Sequence, residues 1–236
     1  PVVPVSALPG RRGYSATLMS TTFAPHRAEE VDEYPHDYAS LLALDHAHLL
    51  HPQHHPADHA EAVIFDHGEG AILWDVNGKR YIDGLACLWN VFVGHGRQEL
   101  ADAGAAQMRK LAFVNSYVGS SNEPAITLAA RLARLAPGDH LNTVFFTTGG
   151  ADSSDTAFKT VRRYWALKGQ PEKSTIISRT NGYHGTTIGA TAATGLAAFH
   201  PHWGPPAPGF VMVPPMDIGA IEAVIAEHGA GTIAAI

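Results

Sequence analysis

The chain has 236 residues, 45% of them hydrophobic and 16% charged, with a formal net charge of -6. This apolar content suits a packed core and excludes a disordered chain, while 16 Lys+Arg against 22 Asp+Glu leave no basic footprint for nucleic-acid phosphates or a membrane surface. No run approaches the roughly 18 to 20 apolar residues of a bilayer span, and the single cysteine, Cys87, excludes an intrachain disulfide and removes any cysteine-based zinc site. The expectation is a cytoplasmic protein with no bound metal.

Residues 1–27 hold no acidic residue, three arginines (Arg11, Arg12, Arg27) and prolines at 1, 4, 9 and 25. The charge suits a transit peptide, but Pro4 and Pro9 spoil the amphipathic helix such a peptide needs. Residues 1–44 are therefore read as a disordered leader, with Met19 a candidate native start. Between His46 and His59 lie six of the 15 histidines. The stretch has no HExxH, no nearby cysteine and two prolines, so surface or packing histidines are expected there.

Regular structure is expected from Ala71. Residues 71–75 and 79–83 are β-prone runs around Val76-Asn77-Gly78, and Asn-Gly accepts the positive φ of a type I′ hairpin turn. Apolar residues at three- and four-residue steps predict helices over 97–112 and 123–135, the second stopped by Pro137-Gly138. Beyond them strands are expected at 143–147, 174–178, 210–213 and 232–236, with helical patterns between. The clearest helix starts near Ser153, turns Ala157, Phe158, Val161, Tyr164 and Trp165 inward, and ends at Gly169. Short apolar strands separated by helices predict an α/β fold with a mostly parallel sheet covered by helices on both faces, preceded by the hairpin segment.

Ligands of such sheets sit beyond the carboxyl ends of the strands. The turn Thr147-Thr148-Gly149-Gly150-Ala151-Asp152-Ser153 is at such a place: small residues admit a ligand to the backbone, and the helix behind presents free N–H groups and a positive dipole end. It reads either as a phosphate cup or as an ordinary tight βα loop, and it is neither a P-loop nor a GxGxxG. Gly94-His95-Gly96 is too short for a dinucleotide site. In Asn181-Gly182-Tyr183-His184-Gly185 an aromatic and an imidazole are bracketed by glycines at a strand end, so Tyr183 reads either as a ring laid on a planar ligand or as a packing residue. Together the two loops describe a site for a flat, phosphorylated cofactor.

The stretches at 84–89, 145–157, 161–165 and 181–189 resemble the class III aminotransferases, pyridoxal-phosphate enzymes of fold type I, and among them the ω-amino acid or amine:pyruvate branch. The resemblance runs from about Asp45 to Ile236. It implies that residues 45–112 contribute to a small domain and 113–236 form the first part of the cofactor-binding large domain. It implies that Gly149, Gly150 and Ala151 cup the phosphate of pyridoxal 5'-phosphate, that Tyr183 stacks on its ring with His184 beside it, and that Trp89 and Tyr117 line the substrate pocket of a homodimer. Taken alone, Trp89 and Tyr117 read as core aromatics. The usual Ser-Gly-Ser-Glu is Gly149-Gly150-Ala151-Asp152 here, so two hydroxyl donors to phosphate are lost.

The resemblance also implies a Schiff-base lysine and a carboxylate on the pyridine nitrogen. None of Lys79, Lys110, Lys159, Lys168 and Lys173 matches that lysine, so both groups are expected beyond Ile236 and no catalytic residue is assigned in this chain. The implied reaction moves an amino group from a primary amine or ω-amino acid to pyruvate or 2-oxoglutarate. A mutase, racemase or decarboxylase of the same fold, or a non-catalytic binding protein, stays open as an alternative. Residues 1–236 made alone are expected to aggregate and to transaminate nothing.

Overall fold

A computed structural model of the chain describes residues 36–52, 55, 57 and 60–236. They fall into two units, the first running to Phe113 and the second from Val114.

The first unit opens with helix α1 (Tyr38–His48), where Asp37 caps by accepting Ser40 N–H at 3.0 Å. The Tyr38 hydroxyl donates to Ala62 O at 3.0 Å. The leader expected through residue 44 thus gives way to helix at Tyr38, while residues 1–35 lie outside the described residues. Three antiparallel strands follow in the order β1-β2-β3: β1 (Phe65–Glu69), β2 (Ile72–Asp75) and β3 (Arg80–Ile82). The hairpin lies where its sequence puts it, but β1 was not expected, because Asp, Gly and Glu give it little strand propensity. It is a strand because it completes the ladder of β2.

The hairpin turn also differs from type I′. Only Gly78 has positive φ (79°), and its N–H donates to Asp75 O at 2.8 Å. The Asp75 carboxylate selects this geometry by accepting the N–H groups of Asn77 and Lys79 and the Tyr81 hydroxyl at 2.9 to 3.0 Å. Burial works to raise its pKa, but these donors outweigh burial and lower it.

After β3 comes α2 (Ala86–Trp89), a single turn of opposite hand. Ala86, Cys87, Leu88 and Trp89 have φ of 49°, 45°, 60° and 67°, and Trp89 N–H and Asn90 N–H close four-residue bonds to Leu85 O and Ala86 O. Left-handed winding costs L-residues about 1–2 kcal/mol each, so surrounding groups must hold it. Asp83 Oδ1 accepts Cys87 N–H at 3.0 Å, and Asn90 Nδ2 donates to Cys87 O and Leu88 O at 3.1 Å. Helix α3 (Gln98–Leu111) completes the unit.

The second unit contains α4 (Glu123–Leu135), α5 (Gly150–Leu167), β4 (Thr175–Arg179), α6 (Ile188–Ala193), β5 (Phe210–Val213), α7 (Ile218–His228) and β6 (Ile233–Ala235). The strands form a parallel sheet ordered β5-β4-β6. Ile177, Val213 and Ile233 make its buried core, against which Ala220, Ile221, Val224 and Ile225 of α7 pack. Phe158 of α5 meets Phe210 edge-on at 5.0 Å. Phe210 and Val213 point to opposite faces by the two-residue period of a strand, so α5 and α7 cover opposite faces. The predicted α/β architecture is present. The strand expected at 143–147 is not: no backbone ladder bond joins it to another described segment, and Phe145 and Phe146 are exposed.

Candidate functional site

Helix α5 starts three residues earlier than its apolar pattern suggested, inside the glycine loop. Gly149 is its N-cap, with extended backbone (φ -170°) and no side-chain cap. The first-turn N–H groups therefore face outward with the positive end of the helix dipole behind them. A Cβ at Gly149 or Gly150 would meet no atom within 4 Å, and neither residue has positive φ. Neither backbone conformation nor packing within the described residues calls for glycine here; what the glycines leave is open space at a helix N-terminus, the setting in which a phosphate is held.

The loop is braced from beneath. The Asp152 carboxylate accepts the N–H and the hydroxyl of Thr148, both at 3.1 Å, and the Thr147 and Ser153 hydroxyls are hydrogen-bonded to each other. Three hydroxyls and a carboxylate are thereby committed to loop shape, leaving backbone donors as the binding groups.

The second loop leaves the carboxyl end of β4 and docks on this same helix end. Ser154 Oγ donates to His184 O at 2.9 Å. Gly185 has φ of 119°, and a Cβ there would lie 2.4 Å from Ala151 Cβ, so only glycine lets the loop sit this close. From the other side the fully buried Thr194 hydroxyl accepts His184 N–H and donates to Gly185 O, each at 3.0 Å. The sequence positions of Gly149, Gly150, Ala151, Tyr183 and His184 are thus brought together through Ala151, Ser154, Gly185 and Thr194. Ser154 and Thr194 were not foreseen. Ser154 sits inside a helix, where a serine usually bonds only the carbonyl four residues back, and it does bond Gly150 O at 3.1 Å as well.

Tyr183 stays 54% exposed, its ring tilted against Phe199 at 5.5 Å. The His184 ring turns toward Phe158 at 6.4 Å, so His184 serves the loop through its backbone. Tyr117 is exposed in a loop of the same unit, its N–H held by Asn115 Oδ1 at 3.0 Å. Trp89 belongs to the first unit, where it ends the left-handed turn with 61% of its surface exposed. Neither Trp89 nor Tyr117 is a core aromatic.

One further set of side chains converges in the first unit. His95 Nε2 lies 2.8 Å from Asp83 Oδ2 and 3.7 Å from Cys87 Sγ. The glycines beside it act in packing: a Cβ at Gly68 would lie 2.7 Å from His95 Cγ, and His95 and Gly70 exchange backbone bonds. The N–H of Cys87 first, and then His95, hold the Asp83 carboxyl down at about 2, whereas burial, and then the neighbouring Asp83, push the Cys87 thiol up. In the histidine-rich stretch His51 pairs with Asp45 at 2.9 Å, while His54 and His59 lie outside the described residues.

The second unit presents open N–H donors on one loop, an exposed aromatic on the next and a fixed joint between them. The family model described as aminotransferase class-III matches residues 54–236. The putrescine–pyruvate aminotransferase of Pseudomonas aeruginosa is 40% identical over 173 residues, 72% of this chain and 38% of the relative. An (S)-enantioselective omega-transaminase from Thermomicrobium roseum superposes with a TM-score of 0.80 at 43% identity, covering 84% of this chain and 48% of that one. An omega transaminase from Pseudomonas jessenii in complex with PMP superposes with a TM-score of 0.78 at 33% identity, over 82% of this chain and 47% of its own. The chain thus spans less than half the length of these relatives.

Proposed function

This chain belongs to the class III aminotransferases, and from that premise we propose that it carries the phosphate- and ring-holding part of a transaminase acting on a primary amine or ω-amino acid and on pyruvate or 2-oxoglutarate. The observation that carries the reading is the uncapped N-terminus of α5, open at Gly149 and Gly150, with the Tyr183 loop docked on it through Ser154 and Gly185. Pyridoxal phosphate, when bound, supplies the electron sink and carries the amino group between the two substrates.

The N–H groups at Gly150 and Ala151 receive the phosphate, where the helix dipole adds to each bond. Tyr183 covers a face of the ring, and Phe199 limits how far its own ring can swing. Asp152 keeps its carboxylate on Thr148, which holds its negative charge in the loop's own hydrogen bonds. Losing the two serine hydroxyls of the family loop weakens retention of the phosphate, each being a charge-assisted bond of about 1.5–3 kcal/mol.

In this reading residues 45–112 contribute to a small domain and 113–236 begin the large one. Trp89 is a substrate-contacting aromatic of the first unit and Tyr117 one of the second, the protein acts as a homodimer, and the unpaired Cys87 suits the reducing cytoplasm. Incubating the intact protein with a 15N-labelled amine and pyruvate or 2-oxoglutarate tests the reading: label is expected in alanine or glutamate. Label released as ammonia, or left in a rearranged or racemised donor, would favour the other fold-type-I chemistries.

A further inference from the structure

The cluster Asp83, Cys87 and His95 plays no part in the proposed cofactor site, yet its three donor atoms lie within 4.8 Å of one another. We propose that Asp83 Oδ2, Cys87 Sγ and His95 Nε2 form a binding site for a borderline-soft divalent cation such as Zn²⁺, with water completing a tetrahedron. Zinc bonds of about 2.3 Å to sulfur and about 2.0–2.2 Å to nitrogen or oxygen require donors about 3.3–3.6 Å apart. The Sγ–Nε2 separation of 3.7 Å lies just outside this range, and the Nε2–Oδ2 pair at 2.8 Å needs to open by about half an ångström.

The same imidazole nitrogen is near both other donors, and no two of the three donor atoms are more than 4.8 Å apart, so closing on one ion asks for shifts of about an ångström. The donors are also held in advance. His95 is fixed by its backbone bridge to Gly70 and by the space that Gly68 leaves for its ring. Asp83 is anchored by its second oxygen on Cys87 N–H, and the left-handed turn delivers the thiol. Side chains of Asp83 and His95 are 7% and 16% exposed while Cys87 lies open to solvent, which gives a shielded site with an entry path. On binding, the thiol proton leaves to solvent and the single imidazole proton moves to Nδ1, so a thiolate, a carboxylate and a neutral imidazole face the dication. This departs from the expectation that a single cysteine leaves no cysteine-based zinc site, because Asp83 and His95 stand beside Cys87 as further donors.

The test uses the intact protein with its cofactor and Cd²⁺, whose thiolate absorption lies in the ultraviolet away from the cofactor's visible band. One equivalent is expected to saturate that absorption, and Zn²⁺ is expected to compete for it and to raise the Tm. Cys87→Ala, which removes the thiol's long contact to His95 and its interaction with Asp83, is expected to lose the absorption and to melt at the same temperature with and without Zn²⁺; His95→Asn is expected to weaken binding more than about tenfold. An unchanged cadmium band in Cys87→Ala, or no saturable band in the wild type, would overturn the site.

Discussion

Gly185 is the residue on which the Tyr183 loop meets the start of α5. Its φ of 119° and the 2.4 Å separation between an added Cβ and Ala151 Cβ allow no side chain there. Gly185→Ala is expected to destabilise the intact protein by about 2–4 kcal/mol, combining backbone strain with overpacking. Cofactor retention should fall with it, because the loop carrying Tyr183 must lift from α5. A urea midpoint equal to wild type would show that the loop does not depend on this contact. Cys87 presents the opposite case, a side chain where glycine would be easier. With φ of 45° in a left-handed turn, Cys87→Gly is expected to raise the urea midpoint, and a lower midpoint would show that the thiol's contacts outweigh the strain.

At the scale of elements, the turn at 86–89 depends on one carboxylate. Asp83 has its pKa lowered from 3.8 to about 2 by Cys87 N–H, then His95, so its contribution to stability is present above the unfolded value near 3.8 and is lost as pH falls toward 2. Denaturation midpoints of wild type and Asp83→Asn should therefore differ at pH 6 and converge as pH falls from 4 toward 2. A gap constant across that range would remove Asp83 from the role. Elements with strong periodicity were legible from sequence: α4 has the bounds its pattern predicts, and β4 and β5 lie within one residue of theirs. The left-handed turn was not, since nothing in Ala86-Cys87-Leu88-Trp89 signals positive φ and its cause lies in Asp83, Asn90 and His95. Helix α1 carried a signal that composition masked, the Asp37 cap ahead of an apolar run. Gly185 of the Tyr183 loop was legible because glycine records close approach, whereas Ser154 and Thr194 act across the fold and leave no local trace.

At the scale of the whole molecule, the described residues expose a large apolar set that includes Phe145, Ile126, Leu132 and Leu135, and the sheet ends in β5 and β6, each paired on one side only. Open edges and apolar helix faces are templates for association. Residues 1–236 made alone are expected to self-associate and to bind a hydrophobic dye; a monodisperse preparation with a sharp melt would contradict this. The absence of any long apolar helix among the described residues means that none of them crosses a membrane as a helix. The central claim remains the cup at the start of α5. Because a side chain at Gly150 meets open space, Gly150→Leu should leave the fold intact while its bulk blocks the backbone donors. The most direct measurement is equilibrium dialysis of pyridoxal phosphate against the intact wild type and Gly150→Leu, with matched thermal melts. The account predicts equal melting of the cofactor-free proteins and affinity reduced at least about a hundredfold in the variant, the loss of two charge-assisted bonds; equal affinity would contradict it.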